Sequence, residues 1–216
     1  LQEFTDAMEV FRASGKWSLA YLETAGEFSP GNLAYALAAA ADHITLSPPG
    51  AVNLVGLRAE VPFFADTLDW LDIEVLVEKR HEYKNAADSL AERKMSEPMR
   101  EATAALLGDI EGDLMAHYAA RRNVDIEQAK AWVHDGPYNA AAALELQLVD
   151  ELGYLDQVFA QIDEKAGRPE SLISLGDYLF SLPDPVTEGS LAVIIGEGQI
   201  MRGASSDDPM SGDSTL

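Results

Sequence analysis

"GKWSLAYLETAGEFSPGNLAYALAAAADHITLSPPG", residues 15 to 50, decides the fold. Residues 15 to 23 read as a turn followed by a buried strand, and "TAGEFSPGN" as a loop. "NLAYALAAAADH" is a nearly all-apolar helix whose alanines suit close packing against a sheet. "HITLSPPG" is a second short strand, closed by Pro48 and Pro49. Strand, helix and strand in this order form a βαβ unit and imply a largely parallel sheet in an α/β domain.

The pattern continues outward from this unit. Residues 2 to 14 read as an amphipathic helix, with Phe4, Met8 and Phe11 on one face. Residues 62 to 71 read as a helix carrying Phe63, Phe64, Leu68 and Leu71, and 73 to 78 as a strand. A long helix is expected from Ser96 to about Arg122, because Leu106, Leu107, Ile110, Leu114 and Tyr118 recur at three- and four-residue steps. A shorter helix follows, with Asp125 and Gln128 at capping-box spacing and Gly136 as its stop. Two more helical pieces surround Gly153. Composition shifts after Gly167, where Pro183 and Pro185 mark a linker. The expected organisation is a domain over 1–167, a linker over 168–190, and the opening strand of a second domain over 191–216.

The chain has 216 residues, 47% of them hydrophobic, enough to bury a core. Its 37 acidic and 15 basic side chains leave a formal charge of -22. That field repels nucleic acid and anionic membrane surfaces, so neither is an expected partner. With no cysteine there is neither a disulfide nor thiolate chemistry. No run approaches the ~20 apolar residues of a membrane span. Because Leu1 opens inside a helical pattern, the chain reads as a piece of a longer protein.

"EVLVEKRHEYKNAADSL", residues 74 to 90, places Lys84 between a β-branched run and a helical pattern, one residue before Asn85, which looks like a helix cap. Lysine is a poor choice there, since the start of a helix favours anions. Together with "KMSEPMREATAALLGDI", the "EYKNAADSL" segment resembles the lysine segment of the signal peptide peptidase A family. "NAAAALELQLVDELGYLD" resembles that family's helix-turn, and "LAVIIGEGQIMRG" the strand that opens the second half of its double-length bacterial members. Residues 15 to 57 resemble the first-half copy of the segment that carries the nucleophile in the second half.

The resemblance implies a ClpP/crotonase-type fold of repeated ββα units and a serine peptidase with a Ser/Lys dyad. It puts the general-base lysine on Lys84. It also implies that the nucleophilic serine and the oxyanion donors lie beyond Leu216. The implied substrates are short apolar peptides such as cleaved signal peptides. A homo-oligomer is implied as well, and bacterial membrane association of the parent protein through a segment outside this chain. No cofactor or metal is called for.

A general base must be neutral near pH 7, whereas free lysine titrates near ~10.4, so a drop of roughly 3 units, about 4 kcal/mol, is required. A helix N-terminus supplies only ~0.3–1 kcal/mol of it, and burial must supply the rest. Ser29 is expected to be an N-cap before Pro30 rather than a nucleophile. His43, His81, His117 and His134 show no metal spacing; His81, three residues before Lys84, reads as a polar loop residue. Tyr83 and Asn85 flank the lysine as orienting, packing or capping residues. Two rivals stand beside the peptidase: a non-catalytic assembly or peptide-binding domain of the same fold, and an acyl-CoA enzyme, which the acidic surface disfavours.

Overall fold

The computed structural model describes residues 1–27, 29–167 and 172–183. The chain divides into two units, Leu1–Pro169 and Glu170–Leu216. The first contains helix α1 (Gln2–Ala13), strand β1 (Leu19–Leu22), α2 (Asn32–Ala39), β2 (His43–Leu46), β3 (Ala51–Val52), α3 (Ala65–Trp70), α4 (Asp88–Ala91), α5 (Glu97–Arg122), α6 (Ile126–Asp135), β4 (Tyr138–Asn139), α7 (Ala140–Glu145), β5 (Glu151–Leu152) and α8 (Leu155–Ala166). In the second, the described residues form helix α9 (Leu175–Ser181), inside the stretch read as a linker. The strand expected at the start of 191–216 lies outside the described residues.

The βαβ unit is present. β1 and β2 pair in parallel, Leu19 opposite His43 and Leu22 opposite Leu46. β5 adds to the other side of β2, also parallel, so the order is β1-β2-β5. β3 and β4 form a separate antiparallel pair. Helices alternating with a parallel sheet make the unit α/β. No helix among the described residues is long and apolar enough to cross a membrane.

The alanine-rich α2 packs on β1 and β2 and lies under the second half of α5. Tyr35 on α2 meets Tyr118 on α5 edge-on, with ring centroids 5.2 Å apart. Both hydroxyls are buried and donate, Tyr35 to the Leu148 carbonyl and Tyr118 to the Asn32 carbonyl, each at 2.8 Å. Burial pushes both phenols well above their usual range, so they remain protonated donors. Trp132 of α6 completes this core with Ile44, Leu46, Val52 and Leu54.

The start of β2 is held on both sides by carboxylates. Asp42, just before it, accepts from the Ser18 amide and hydroxyl, each at 2.9 Å, and from Arg12. Asp150, just before β5, accepts the Ile44 amide at 2.8 Å and both arms of Arg122 at 2.7 and 3.1 Å. Burial pushes each carboxyl up, but the arginine and the N–H donors outweigh it and hold both below the usual range. A depressed carboxyl contributes stability above its unfolded pKa, ~3.9, and loses it as pH falls through the lower folded value. The melting-temperature advantage of the wild type over Asp150→Asn should therefore shrink below about pH 4. Scans from pH 3 to 7 check it.

Several expectations need correction. Ser29 does not cap α2: the N-cap is Gly31, whose carbonyl accepts the Tyr35 amide at 2.8 Å. The Gly31 amide instead donates to the Asn53 carbonyl at 2.7 Å. A Cβ at Gly31 would sit 2.1 Å from the Ala25 carbonyl oxygen, so the backbone is pressed against the connection after β1 and the helix starts later than Pro30 suggests. Asp125 does cap α6, accepting the Gln128 amide at 2.8 Å. Asp125→Ala should cost about 1 kcal/mol and Ser29→Ala less than about 0.5, checked by urea midpoints.

No strand forms at 73–78, because no neighbouring backbone among the described residues pairs with it. The segment keeps a two-residue alternation, Val75 and Val77 half-buried and Leu76 exposed. The helix expected over 62–71 is shorter, Ala65–Trp70. α5 buries Leu114, Met115 and Tyr118, while Leu106 and Ile110 stay exposed, so only its second half belongs to the core.

Candidate active site

Lys84 lies in an exposed turn between 79 and α4, its amide donating to the His81 carbonyl at 3.3 Å. His81 takes a positive φ of 65°, which reverses the chain just before the lysine. His81 thus shapes the turn with its backbone. Asn85 is not an N-cap. Its carbonyl accepts the Asp88 amide at 3.0 Å, and α4 starts only at Asp88, with Ala87 at the cap position.

The turn is fastened at both ends. Asp88 is 1% exposed and accepts from Lys79 Nζ at 2.7 Å and from the hydroxyl of Ser96, the α5 N-cap, at 3.3 Å. The Asp88 carboxylate holds the Lys79 ammonium above its usual range, chiefly through that hydrogen bond. Tyr83 donates to Glu101 of α5 at 2.7 Å, which pushes its phenol up. Phe64 donates its amide to the Ser89 carbonyl at 2.8 Å, joining the start of α3 to α4. Arg93 spans Asp66 and Asp69 of α3. The first half of α5, with α3 and α4, is therefore the platform for Lys84.

Four carboxylates of this platform are taken, while Glu82 on the turn itself is exposed. Asp88 is held by Lys79, Glu101 by Tyr83, and Asp66 and Asp69 by Arg93. Among the described residues Lys84 makes no ion pair. A cavity of about 480 Å³ opens beside the platform, lined by Leu68, Ile73, Val75, Leu90 and Ala91 with Asp69, Asp72 and Glu74. Ser29 belongs to a different part of the unit, on the exposed loop beside Gly26 and Gly31. Gly26 has a positive φ of 86°, and a Cβ on it would meet the Ser29 carbonyl oxygen at 2.3 Å.

The histidines are dispersed. His43 faces Glu151 at 3.3 Å, His134 lies beside Asp135 at 2.9 Å, and His117 contacts the Ala36 carbonyl at 2.7 Å. Burial pulls the His117 imidazole below its usual range, so it stays neutral and donates to that carbonyl. Sequence reasoning missed Lys79 and Asp88. The signal was there: an aspartate four residues after the singled-out lysine and a second lysine five residues before it.

The profile of "Peptidase family S49" matches residues 11–168. The chain belongs to peptidase family S49. Protease 4 of Salmonella typhi is 30% identical over 97% of this chain and 35% of that protein. Protease 4 of Haemophilus influenzae is 26% identical over 96% of this chain and 35% of its own length. The chloroplastic serine protease SPPA of Arabidopsis thaliana is 25% identical over 73% of this chain and 22% of its own length. The chain thus spans about a third of the length of these two bacterial relatives.

Proposed function

We propose that this chain is the lysine-bearing first half of a serine endopeptidase of ClpP/crotonase-type fold, with Lys84 as the general base of a Ser/Lys dyad. The observation that carries the reading is the placement of Lys84: in a turn fastened at both ends, without an ion pair of its own among the described residues, on a platform whose Asp88, Glu101, Asp66 and Asp69 are held by other side chains. A base needs a neutral amine, and a bound carboxylate would stabilise the ammonium instead. Membership of S49 and the likeness to Protease 4 and to the serine protease SPPA support a peptidase.

In this reading the serine hydroxyl of the second half attacks the substrate carbonyl, and the Lys84 amine takes its proton. The amine then returns that proton to the leaving amine of the peptide, and water releases the acyl group by the same route. The substrates are short apolar peptides such as cleaved signal peptides. The parent protein forms a homo-oligomer and is held at the bacterial membrane by a segment outside this chain. A non-catalytic assembly domain is the second reading, favoured by the exposure of Trp70 and Leu76, 81% and 85%.

The test uses a serine-reactive phosphonate and an apolar fluorogenic peptide. The full-length protein should be labelled stoichiometrically on a serine of the second half, and the isolated chain should be neither labelled nor active. Labelling that maps to Ser29 would overturn the half-site reading. An inert full-length protein would favour the assembly domain.

A further inference from the structure

Asp88 is the most deeply buried carboxylate of the Lys84 platform, and its position is informative. A lysine and an aspartate four residues apart would be neighbours on a helix and would pair. Here α4 begins at Asp88, so Lys84 is not helical and the pair is not made. Lys79 reaches the carboxylate instead, at 2.7 Å, and Ser96 at 3.3 Å. One side chain thus joins the segment before the turn, the start of α4 and the start of α5. The Lys84–His81 and Asp88–Asn85 backbone hydrogen bonds close the turn between these fixed ends.

We propose that Asp88 is the positioning residue for Lys84, and that Lys79 neutralises Asp88 so that it does not become the counter-ion of Lys84. This rests on the general-base reading of Lys84. The other platform carboxylates, apart from the exposed Glu82 on the turn, are engaged by other side chains. On the turn are Arg80, His81 and Glu82, all exposed to solvent. On α5 Glu101 is engaged by Tyr83, and Glu97 lies 3.9 Å from Arg100. Glu92, just after α4, stands 4.0 Å from Lys79, and the α3 carboxylates belong to Arg93. The Lys79–Asp88 pair is the one with a buried member, where solvent screens least.

The inference separates charge from fastening. In Lys79→Met, Asp88 loses its cation, the Lys84 ammonium is favoured, and the acid limb of kcat/KM against pH should move up by about half a unit or more. In Asp88→Asn, Lys79 is left uncompensated, and the limb should move down while kcat falls with the loosened turn. The double variant should bring the limb back near the wild-type position. Lys79→Arg, which keeps the charge, should leave it in place and serves if Lys79→Met folds poorly.

The experiment is the pH profile of these variants in the full-length protein. Alongside it runs the pH dependence of Lys84 acylation by acetic anhydride, read by peptide mass spectrometry. A purely structural role would lower melting temperatures without moving either profile, and that result overturns the proposal. If Lys84→Ala retains activity, the base assignment fails, and the acylation profile still decides whether Lys79 and Asp88 set the charge state of Lys84.

Discussion

Lys84→Ala in the full-length protein should lower kcat by at least about a thousandfold and leave the melting temperature nearly unchanged. A positioned general base contributes ~10²–10⁴-fold, and removing a group that acts as a unit with its nucleophile tends to the upper end or beyond. The stability side follows from exposure: Lys84 makes no ion pair among the described residues, so truncation should stay within about 0.5 kcal/mol. Lys84→Arg should be just as inactive, because a guanidinium does not give up its proton at working pH. Steady-state kinetics on a fluorogenic peptide with a parallel melting curve measure both. Near wild-type turnover in the alanine variant would remove Lys84 from the chemistry.

The largest expected stability loss is at Trp132, which is 1% exposed in the core between α5 and α6. Truncating a buried tryptophan costs about 3–5 kcal/mol. The lower end, about 3, is expected, because the indole N–H is buried without a hydrogen-bond partner among the described residues. Trp132→Ala removes that unsatisfied donor, worth ~1–3 kcal/mol, along with the packing. At about 2–4 °C per kcal/mol for a unit of this size, the melting temperature should drop by about 10 °C. Trp132→Phe keeps most of the packing, discards the donor, and should stay within about 1 kcal/mol of wild type. Trp70→Ala is the control: at 81% exposure it should change the urea midpoint by less than about 0.5 kcal/mol equivalent.

The βαβ unit was legible because its signals are local and redundant: a β-branched or aromatic strand, an alanine-rich helix, a proline-closed strand. Asp125 and Gly136 bounded α6 as their types suggest. β5 was not legible, since Glu151 and Leu152 carry no alternation and join the sheet only because β2 offers a free edge. Residues 73 to 78 show the reverse case. Ile73, Val75 and Val77 have strand propensity, but a strand is defined by a partner. Ser29 and Asn85 failed as caps for one shared reason: a capping type marks a place where a helix can begin, and tertiary contacts moved the start. Those contacts are the close approach of Gly31 to Ala25 and the anchoring of Asp88 by Lys79. The platform around Lys84 was only half visible, because Lys79, Asp88, Ser96 and Glu101 meet through folding rather than through a sequence period.

The position of β2 has a consequence for synthesis. Its partner on one side, β1, leaves the ribosome before it, but the Asp150 carboxylate that accepts the Ile44 amide is 106 residues downstream. At ~5–20 residues per second, β2 waits about 5–20 s with one edge of its backbone unpaired. A strand edge exposed for that long is a template for pairing with another nascent chain. Long-range closure of this kind also slows folding itself. The 26-residue α5, built from local hydrogen bonds, forms within that interval, and its second half can cover α2 before the sheet is complete. A ribosome stalled between α6 and β5 should therefore hold a helical, aggregation-prone chain that the addition of "VDEL" converts into a protease-resistant one.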